Sequence, residues 1–281
     1  MTRMKPILIL GATGKTGRRI AERLQAKEVP VRIGSRSETP AFDWSDRTTW
    51  AAALEGVGAI YVSYYPDLAV PGAAKDIAAL VDLAKANGVN RLVLLSGRGE
   101  AEAQACEAVV KCSGTDWTIL RCSWFNQNFS ETLMADMVLA GEIALPTGEV
   151  GEPFIDAEDI ADVAVAALTD GCHVGQLYEL TGPRLLTFAD VAAEISAATG
   201  RAIAFRHLTH EAFAAAMAAG QTPQDVAWLM SYLFREVLDG RNERVADTVI
   251  RVLGRPARDF SDYAREVAAS GAWAKAKTEA A

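Results

Sequence analysis

The feature that most constrains this chain is a glycine-rich turn, GATGKTG at residues 11–17, between an apolar run and a helical pattern. Before it, residues 6–10 (PILIL) are wholly apolar, as in a strand buried on both faces. After it, Ile20, Ala21 and Leu24 recur on one helical face, with charged residues opposite. The order strand, turn, helix therefore predicts that the turn lies at the carboxyl end of a buried strand.

Two phosphate-binding motifs compete for this turn. Gly14-Lys15-Thr16 looks like the end of a P-loop, but that motif needs a glycine where this chain has Ile9. The spacing GxxGxxG instead fits a dinucleotide-binding turn, in which the glycines allow a tight turn, close approach of the pyrophosphate and close packing of the helix. The free amides of the helix N-terminus favour phosphate. The predicted cofactor residues here are Gly11, Thr13, Gly14, Lys15, Thr16 and Gly17.

Strand-like and helix-like segments alternate through the first half of the chain. This alternation predicts an α/β fold, a Rossmann-like doubly wound parallel sheet. The pattern loosens after Phe125, and the region after Thr181 is mostly helical. We therefore expect an NADP(H)-binding Rossmann domain over residues 1–122 and 153–181, and a small, mostly helical C-terminal substrate lobe over 123–152 and 182–281.

Ligands of such sheets bind at the carboxyl ends of the strands. This rule adds Ser63 and Ser96 to the predicted cofactor contacts, and Tyr64 and Tyr65 to the predicted substrate contacts. Tyr64 and Tyr65 have the alternative of aromatic packing at a strand end.

The end of the second strand indicates the cofactor. An NAD site usually has an acid there to hold the ribose hydroxyls, whereas this chain has Ser35 and Arg36. Arginine can bind a 2′-phosphate that a carboxylate would repel, so NADP(H) is preferred over NAD(H). The alternative is that Arg36 points to solvent and Glu38 serves the ribose. Asp43 and Trp44, where a third strand would end, are predicted to contact the adenine, or else to form a surface turn.

Composition excludes several classes of partner. The net charge of −8 argues against nucleic acid, and no apolar run is long enough to cross a membrane. The four cysteines form no CxxC pair and the chain shows no signal peptide, which predicts a cytoplasmic protein with reduced thiols. No metal site is predicted, because His207 and His210 lack further ligands. A homodimer is compatible with the sequence.

Several motifs together resemble the NmrA-like branch of the atypical short-chain dehydrogenase/reductases. They are GATGKTG, the SR after the second strand, LVLLSG, SGTDWTILRCSWFNQNF, PFIDAEDIADVA, ELTGPRLLTFADVAAEISAATGR and DGRNERVADTV. The C-terminal part also resembles bacterial relatives of ergot-alkaloid iminium reductases. The resemblance implies a Rossmann-like domain with a small C-terminal lobe. It also implies that Trp124 and Phe125 meet the nicotinamide ring.

The catalytic pair of ordinary short-chain dehydrogenases is missing. No tyrosine of this chain is followed four residues later by lysine. Ser96 stands where such enzymes have their serine, and Tyr64 is the other candidate proton donor. The lysine that some related reductases have on the following helix is also absent. These departures argue against ordinary alcohol oxidation.

The predicted function is an NADPH-dependent reductase acting on a small hydrophobic or aromatic substrate. Without a dedicated acid, hydride transfer favours an electron-poor acceptor such as an iminium or imine, a quinone or a conjugated carbonyl. The predicted substrate contacts are Tyr64, Tyr65, Trp124, Phe125, Asn126, Phe154 and Trp228. The alternative is a non-catalytic NADP(H)-binding redox sensor or regulator of a partner protein.

Overall fold

The computed structural model describes residues 4–274, which form eight strands and twelve α-helices. The strands are β1 (Ile7–Leu10), β2 (Val31–Gly34), β3 (Ala59–Val62), β4 (Arg91–Gly97), β5 (Asp116–Cys122), β6 (Glu142–Leu145), β7 (Gln176–Leu180) and β8 (Ala204–His207). The helices are α1 (Lys15–Ala26), α2 (Trp50–Leu54), α3 (Ala73–Ala86), α4 (Ala101–Lys111), α5 (Asn128–Glu131), α6 (Leu133–Ala140), α7 (Ala157–Thr169), α8 (Phe188–Thr199), α9 (His210–Ala219), α10 (Gln224–Tyr232), α11 (Thr248–Leu253) and α12 (Phe260–Ser270).

The chain divides into two compact units. The first runs to Cys122 and includes Ala157–Leu180 and Asp247–Arg255, and the second comprises Ser123–Asp156, Thr181–Ala246 and the chain from Pro256 onward. The sequence-based division differs in three places, since it put 153–156 and Thr181 in the first domain and 247–255 in the second lobe. Residues 275–281 of the predicted lobe lie outside the described residues.

The first unit is built on a six-stranded parallel sheet. Its strand order is β2-β1-β3-β4-β5-β7, so β1 pairs with β2 on one side and with β3 on the other. All residues of β1 and β3 are buried, as the apolar run at residues 6–10 predicted for β1. The strand order reverses direction at β1, which makes the gap between the ends of β1 and β3 the topological switch point where such sheets bind ligands.

Amphipathic helices cover this sheet. In α1 the buried residues Ile20, Ala21 and Leu24 follow the helical spacing seen in the sequence. In α3, Ile77 and Leu80 are buried in the same way. The predicted Rossmann-like α/β fold is confirmed.

The third strand expected before Asp43 is absent from the described residues. Asp43 instead forms an isolated bridge with Asp46, which accepts a hydrogen bond from the amide of Thr48 and caps a 3₁₀ turn at Arg47–Thr49. Aspartate side chains that bond to nearby backbone favour turns over strands, which explains the difference.

The second unit has a core of aromatic rings. Phe154 and Phe188 pack edge to face with centroids 5.2 Å apart, and the Trp273 indole donates to the carbonyl of Phe129 at 2.8 Å. The second unit also contains a two-stranded parallel sheet, formed by β6 and β8. Its helices are α5, α6, α8, α9, α10 and α12. The prediction of a mostly helical lobe is confirmed for this unit.

Within residues 4–274, every helix is too short or too polar to span a lipid bilayer.

Candidate functional site

The glycine turn lies at the switch point of the sheet. Gly11 has a φ of +71°, and a Cβ placed on it would stand 3.0 Å from the Cβ of Ser63 at the end of β3. A Cβ on Gly17 would overlap the carbonyl oxygen of Gly11. The glycines are therefore required by the space in the turn, because they bring the start of α1 and the ends of β1 and β3 together.

The N-terminus of α1 has no capping side chain in the described part of the chain. Gly14 precedes the helix, and the first helical turn contains no acidic residue. Thr13 and Gly14 are exposed, whereas Lys15 is half-buried. The positive end of the helix dipole can therefore take an external anion such as a pyrophosphate.

Thr16 differs from its neighbours in this turn. It is buried, and its hydroxyl accepts a hydrogen bond from the Tyr61 hydroxyl at 2.8 Å. The side chain of Thr16 thus fastens α1 to β3.

Ser35 and Arg36, in the loop after β2, differ in their exposure to solvent. Ser35 is half-buried, with its hydroxyl 3.1 Å from that of Ser37, while Arg36 and Glu38 are exposed. Within the described residues, Arg36 makes no hydrogen bond or ion pair, although its charge helps to lower the pKa of Asp43. The larger causes of that lowering are hydrogen bonds from the amide and hydroxyl of Ser45. The Arg36 guanidinium is therefore available to an anionic ligand.

Trp44 belongs to an aromatic cluster beside the same strand ends. The centroid of its ring lies 5.0 Å from that of Phe42, 5.4 Å from that of Trp50 and 4.7 Å from that of Tyr64. Its indole nitrogen donates to the Ser63 carbonyl at 3.1 Å. The cluster gives the β3 end a half-buried aromatic surface.

The two candidate proton donors at the strand ends are engaged with carboxylates. The Tyr64 hydroxyl donates to Asp76 at 2.7 Å, and the buried Ser96 hydroxyl donates to Glu107 at 2.8 Å. Burial, followed by the bond to Asp76, raises the pKa of Tyr64. By contrast, the side chain of Tyr65 is 73% exposed.

Sequence reasoning missed a buried ionic network at the ends of β4, β5 and β7. Arg121 binds Glu107 through Nε at 2.9 Å and also through its terminal nitrogen, and it reaches Glu179 at 3.5 Å. Burial alone would raise the pKa of Glu107, but the bonds from Arg121 and Ser96 outweigh it and the pKa is lowered. The available signal was an acid beside Cys106 on the apolar face of α4.

A second feature missed in the sequence is a pair of carboxyl groups. A hydrogen bond joins Asp67 to Glu100, and Asp67 also accepts from the amide of Ala69 at 2.8 Å. A Cβ on Gly97 would overlap the carboxyl of Glu100, so this glycine leaves space for it. Burial, followed by the charge of Asp67, raises the pKa of Glu100 well above its usual value.

In the second unit, the segment that follows β5 carries three predicted contacts. Trp124 and Phe125 are half-buried, and the Trp124 ring lies 5.2 Å from Phe234. Phe125 forms an isolated parallel bridge with Ile155. Asn126 is fully buried, and its side-chain amide has no hydrogen-bond partner among residues 4–274.

The two remaining predicted contacts differ in exposure. Phe154 is buried in the aromatic core against Phe188, where it is 2% exposed. Trp228 is 44% exposed and stacks on Tyr232 with centroids 5.6 Å apart.

One trio of potential metal ligands occurs in the first unit. Among the described residues, possible ligand atoms of Asp170, Cys172 and His173 lie within 4.8 Å of one another. Asp170 already accepts from the amide of Cys172, and His173 is 2.8 Å from the Tyr178 hydroxyl. The three residues are therefore close together because they form a 3₁₀ turn that Asp170 caps.

Comparison with known proteins agrees with the geometry of the turn. A family model described as NAD(P)H-binding matches residues 11–171, beginning at the first glycine of the turn. The chain belongs to the NAD(P)H-binding family.

Relatives of this chain match it over nearly its whole length, and one of them is named as a reductase. The NAD(P)H azoreductase of Xenophilus azovorans is 34% identical, over 94% of this chain and 98% of the relative. Festuclavine synthase II of Penicillium roqueforti (strain FM164) is 33% identical, over 92% of this chain and 96% of the relative. The resemblance predicted from the motifs is confirmed.

Solved structures give the same fold for this family. The NADPH-dependent quinone oxidoreductase QOR2 of Escherichia coli, complexed with NADPH, has a TM-score of 0.79 at 22% identity, covering 93% of this chain and 99% of that one. The negative transcriptional regulator Nmra has a TM-score of 0.71 at 18% identity, covering 95% and 97%. The residues of the turn fit the nucleotide that the family name implies, because the glycines leave a cradle that side chains would fill.

Proposed function

We propose that this protein is an NADPH-dependent reductase that transfers hydride to a small, hydrophobic, electron-poor acceptor. The acceptor classes are iminium or imine, quinone and conjugated carbonyl. The nicotinamide nucleotide supplies the hydride when it is bound. The turn from Gly11 to Gly17 and the uncapped start of α1 would hold its pyrophosphate.

Ser35 and Arg36 support the preference for NADPH over NADH. Arg36 has no anionic partner among the described residues, and a guanidinium binds phosphate through two parallel hydrogen bonds. A carboxylate in the same place would repel a 2′-phosphate. We therefore assign Arg36 to the 2′-phosphate, with the Ser35 hydroxyl beside it.

The observation that carries the acceptor class is the engagement of both candidate acids. Tyr64 donates its hydroxyl hydrogen to Asp76, and Ser96 donates its own to Glu107. A neutral ketone would need such a hydrogen, because hydride addition builds an alkoxide that requires an acid or an oxyanion hole. An acceptor that is already electron-poor needs chiefly to be positioned against the hydride donor.

Apolar side chains with accessible surface support a hydrophobic acceptor. In the second unit, Trp124 and Phe125 are half-buried and Trp228 is 44% exposed. In the first unit, Tyr65 is 73% exposed. Such rings bind flat apolar ligands through their faces. The name of the azoreductase supports an acceptor that contains a conjugated, nitrogen-containing group.

The test is NADPH consumption against a panel of acceptors. Menadione, a cyclic iminium and an azo dye should each oxidise NADPH, whereas cyclohexanone, a neutral ketone, should not. NADH should support a lower rate at the same concentration. If the protein binds NADPH tightly but oxidises it with none of these acceptors, the proposal fails and a nucleotide-binding sensor replaces it.

A further inference from the structure

Asn126 has a buried side-chain amide that is unpaired within the part of the chain that the structure describes. Its side chain is 0% exposed, and both Nδ2 and Oδ1 lack a partner among the described residues. Its backbone is firmly held, since its amide donates to the Ile155 carbonyl at 2.9 Å and its carbonyl accepts from Phe129 at 3.0 Å. The backbone thus fixes the side chain in a place where its polar atoms are unsatisfied.

The next residue shows that this region can satisfy an amide. Gln127 is 2% exposed, and its Nε2 donates to Asp156 at 2.7 Å. Buried amides in folded proteins are nearly always paired in this way, and an exception calls for a specific reason. The contrast between the two neighbours points to a partner that Asn126 meets in another state of the protein.

We propose that Asn126 binds the carboxamide-type group of a ligand, meaning a planar group that offers an N–H donor beside a carbonyl acceptor. The asparagine amide offers the complementary pair, so the two groups form two parallel hydrogen bonds. Because Asn126 is 0% exposed, a ligand reaches its amide only if neighbouring side chains move, and Trp124 and Phe125 just before it are half-buried. The inference rests on the proposed function only in taking the ligand to be the nicotinamide nucleotide or the acceptor.

The test compares N126L with a matched control. Leucine is apolar and branches at Cγ as asparagine does but is larger, so N126L removes the unsatisfied atoms without opening a cavity and adds some bulk. The control is T147V, because Thr147 is also buried, 3% exposed, and its hydroxyl also lacks a partner among the described residues. T147V should raise the Tm of the ligand-free protein, since it removes a buried unpaired polar group with little change in size. In N126L the same gain is opposed by the added bulk, so its Tm serves only to show that the variant is folded.

Only N126L should alter ligand binding. Loss of two neutral hydrogen bonds should weaken the ligand roughly tenfold, whereas T147V should bind like the original protein. Two pairs of probes separate the two sources of the group. NADPH is compared with its 3-acetylpyridine analogue, which lacks the carboxamide N–H, and 4-phenylazobenzamide is compared with azobenzene on the NADP⁺-loaded protein. All four affinities are measured by fluorescence or calorimetry, without turnover.

The pair whose affinity ratio collapses in N126L identifies the source, and collapse of either ratio supports the proposal. If both ratios are unchanged in N126L, the proposal is overturned and Asn126 is only a defect of packing. Because these measurements need binding and not reduction, they stay informative even if the acceptor panel shows no NADPH consumption.

Discussion

The carboxyl ends of β1 and β2 differ from those of β4 and β5 in how their polar groups are matched. At β1 and β2, the start of α1 has no capping side chain and Arg36 has no ion-pair partner within the described residues. At β4 and β5, Ser96 and Arg121 both bind the buried Glu107. Both sets of groups lie at strand ends, as the rule for functional residues requires, but Ser96 and Arg121 are bound within the chain, whereas the start of α1 and Arg36 are left for a ligand.

The comparison shows that a side chain can lie at the ligand-binding edge of the sheet without being available to a ligand. A strand end brings a side chain to the ligand edge of the sheet, but a hydrogen bond within the chain then removes it from chemistry. Ser96 shows this, since its hydroxyl hydrogen is held by the Glu107 carboxylate, a contact that local sequence pattern does not predict. We therefore expect substitutions at β4 and β5 to change stability, and substitutions at β1 and β2 to change nucleotide binding.

The largest expected effect is on the stability of the network. Replacing Glu107 with alanine would leave Arg121 without its main partner in a largely buried position. Breaking a buried ion pair from one side costs roughly 3–5 kcal/mol, which urea unfolding of E107A should show. The control is Q104A, an exposed position on the same helix, where the change should stay within about 0.5 kcal/mol. A loss below about 1 kcal/mol in E107A would mean that the network is not structural.

The next effect breaks the open region. Gly14 has an ordinary φ of −86°, and a Cβ there would stand 3.2 Å from the Gly11 carbonyl oxygen. Valine at this position should therefore leave the fold largely intact while filling the space of the pyrophosphate, with NADPH affinity falling about a hundredfold or more. Fluorescence titration measures this. G171V, where a Cβ meets nothing within 4 Å, should bind normally. Unchanged affinity in G14V would put the cofactor elsewhere.

Arg36 sharpens the comparison by testing which nucleotide the open region prefers. Charge-assisted hydrogen bonds contribute roughly 1.5–3 kcal/mol, so R36A should weaken NADPH about tenfold to a hundredfold. NADH affinity should barely change. E38A serves as the companion variant, because Glu38 is the alternative ribose contact. If E38A weakens NADH and R36A weakens both nucleotides equally, the assignment to NADPH loses its support.

A smaller effect concerns the pH dependence of stability. The raised pKa of Glu100 means that the folded protein holds this proton more tightly than the unfolded chain. Its contribution to stability is complete below the ordinary glutamate pKa and is lost as the pH rises through the folded value. In E100Q the part of this loss that belongs to Glu100 should disappear, while the part that belongs to Asp67, whose pKa burial also raises, should remain. The variant should therefore gain on the original protein by at most about 1.4 kcal/mol per pH unit in that window. Urea unfolding at several pH values measures the difference, and parallel curves would contradict it.

The sequence predicted the parts of this protein that follow from local pattern. Three patterns predicted the Rossmann-like fold: the apolar run before Gly11, the helical spacing of Ile20 and Leu24, and the alternation of strands and helices. Tertiary pairings were beyond it, because they join residues far apart in the chain. Glu107 and Arg121 are 14 residues apart, and Arg121 and Glu179 are 58 apart.

Burial also could not be predicted for single side chains. Asn126, which follows two aromatic residues, and Phe154 were both expected at a ligand surface. They are 0% and 2% exposed. Trp228, from the same expectation, is 44% exposed. Which member of such a set reaches the surface depends on how α5, α8 and α10 pack, and periodicity does not specify that packing.

The smallest expected effect is on catalysis at Tyr64. Its hydroxyl donates to Asp76, which Arg47 also binds, so removing the hydroxyl leaves that carboxylate paired. Y64F should therefore reduce menadione or a preformed iminium within about tenfold of the original rate, whereas a true general acid contributes roughly a hundredfold or more. The exposed Tyr65 gives the matched control, and Y65F should behave alike.

The same assay has an internal contrast in W124A, which should lower the rate more than Y64F does, because a mechanism without an acid depends on positioning. A thousandfold loss of turnover in Y64F with NADPH binding intact would reverse this interpretation. Tyr64 would then be a dedicated proton donor that leaves Asp76 when the acceptor binds. Neutral carbonyls would return as substrates, and strand-end position would predict function even where the chain holds the group in a bond of its own.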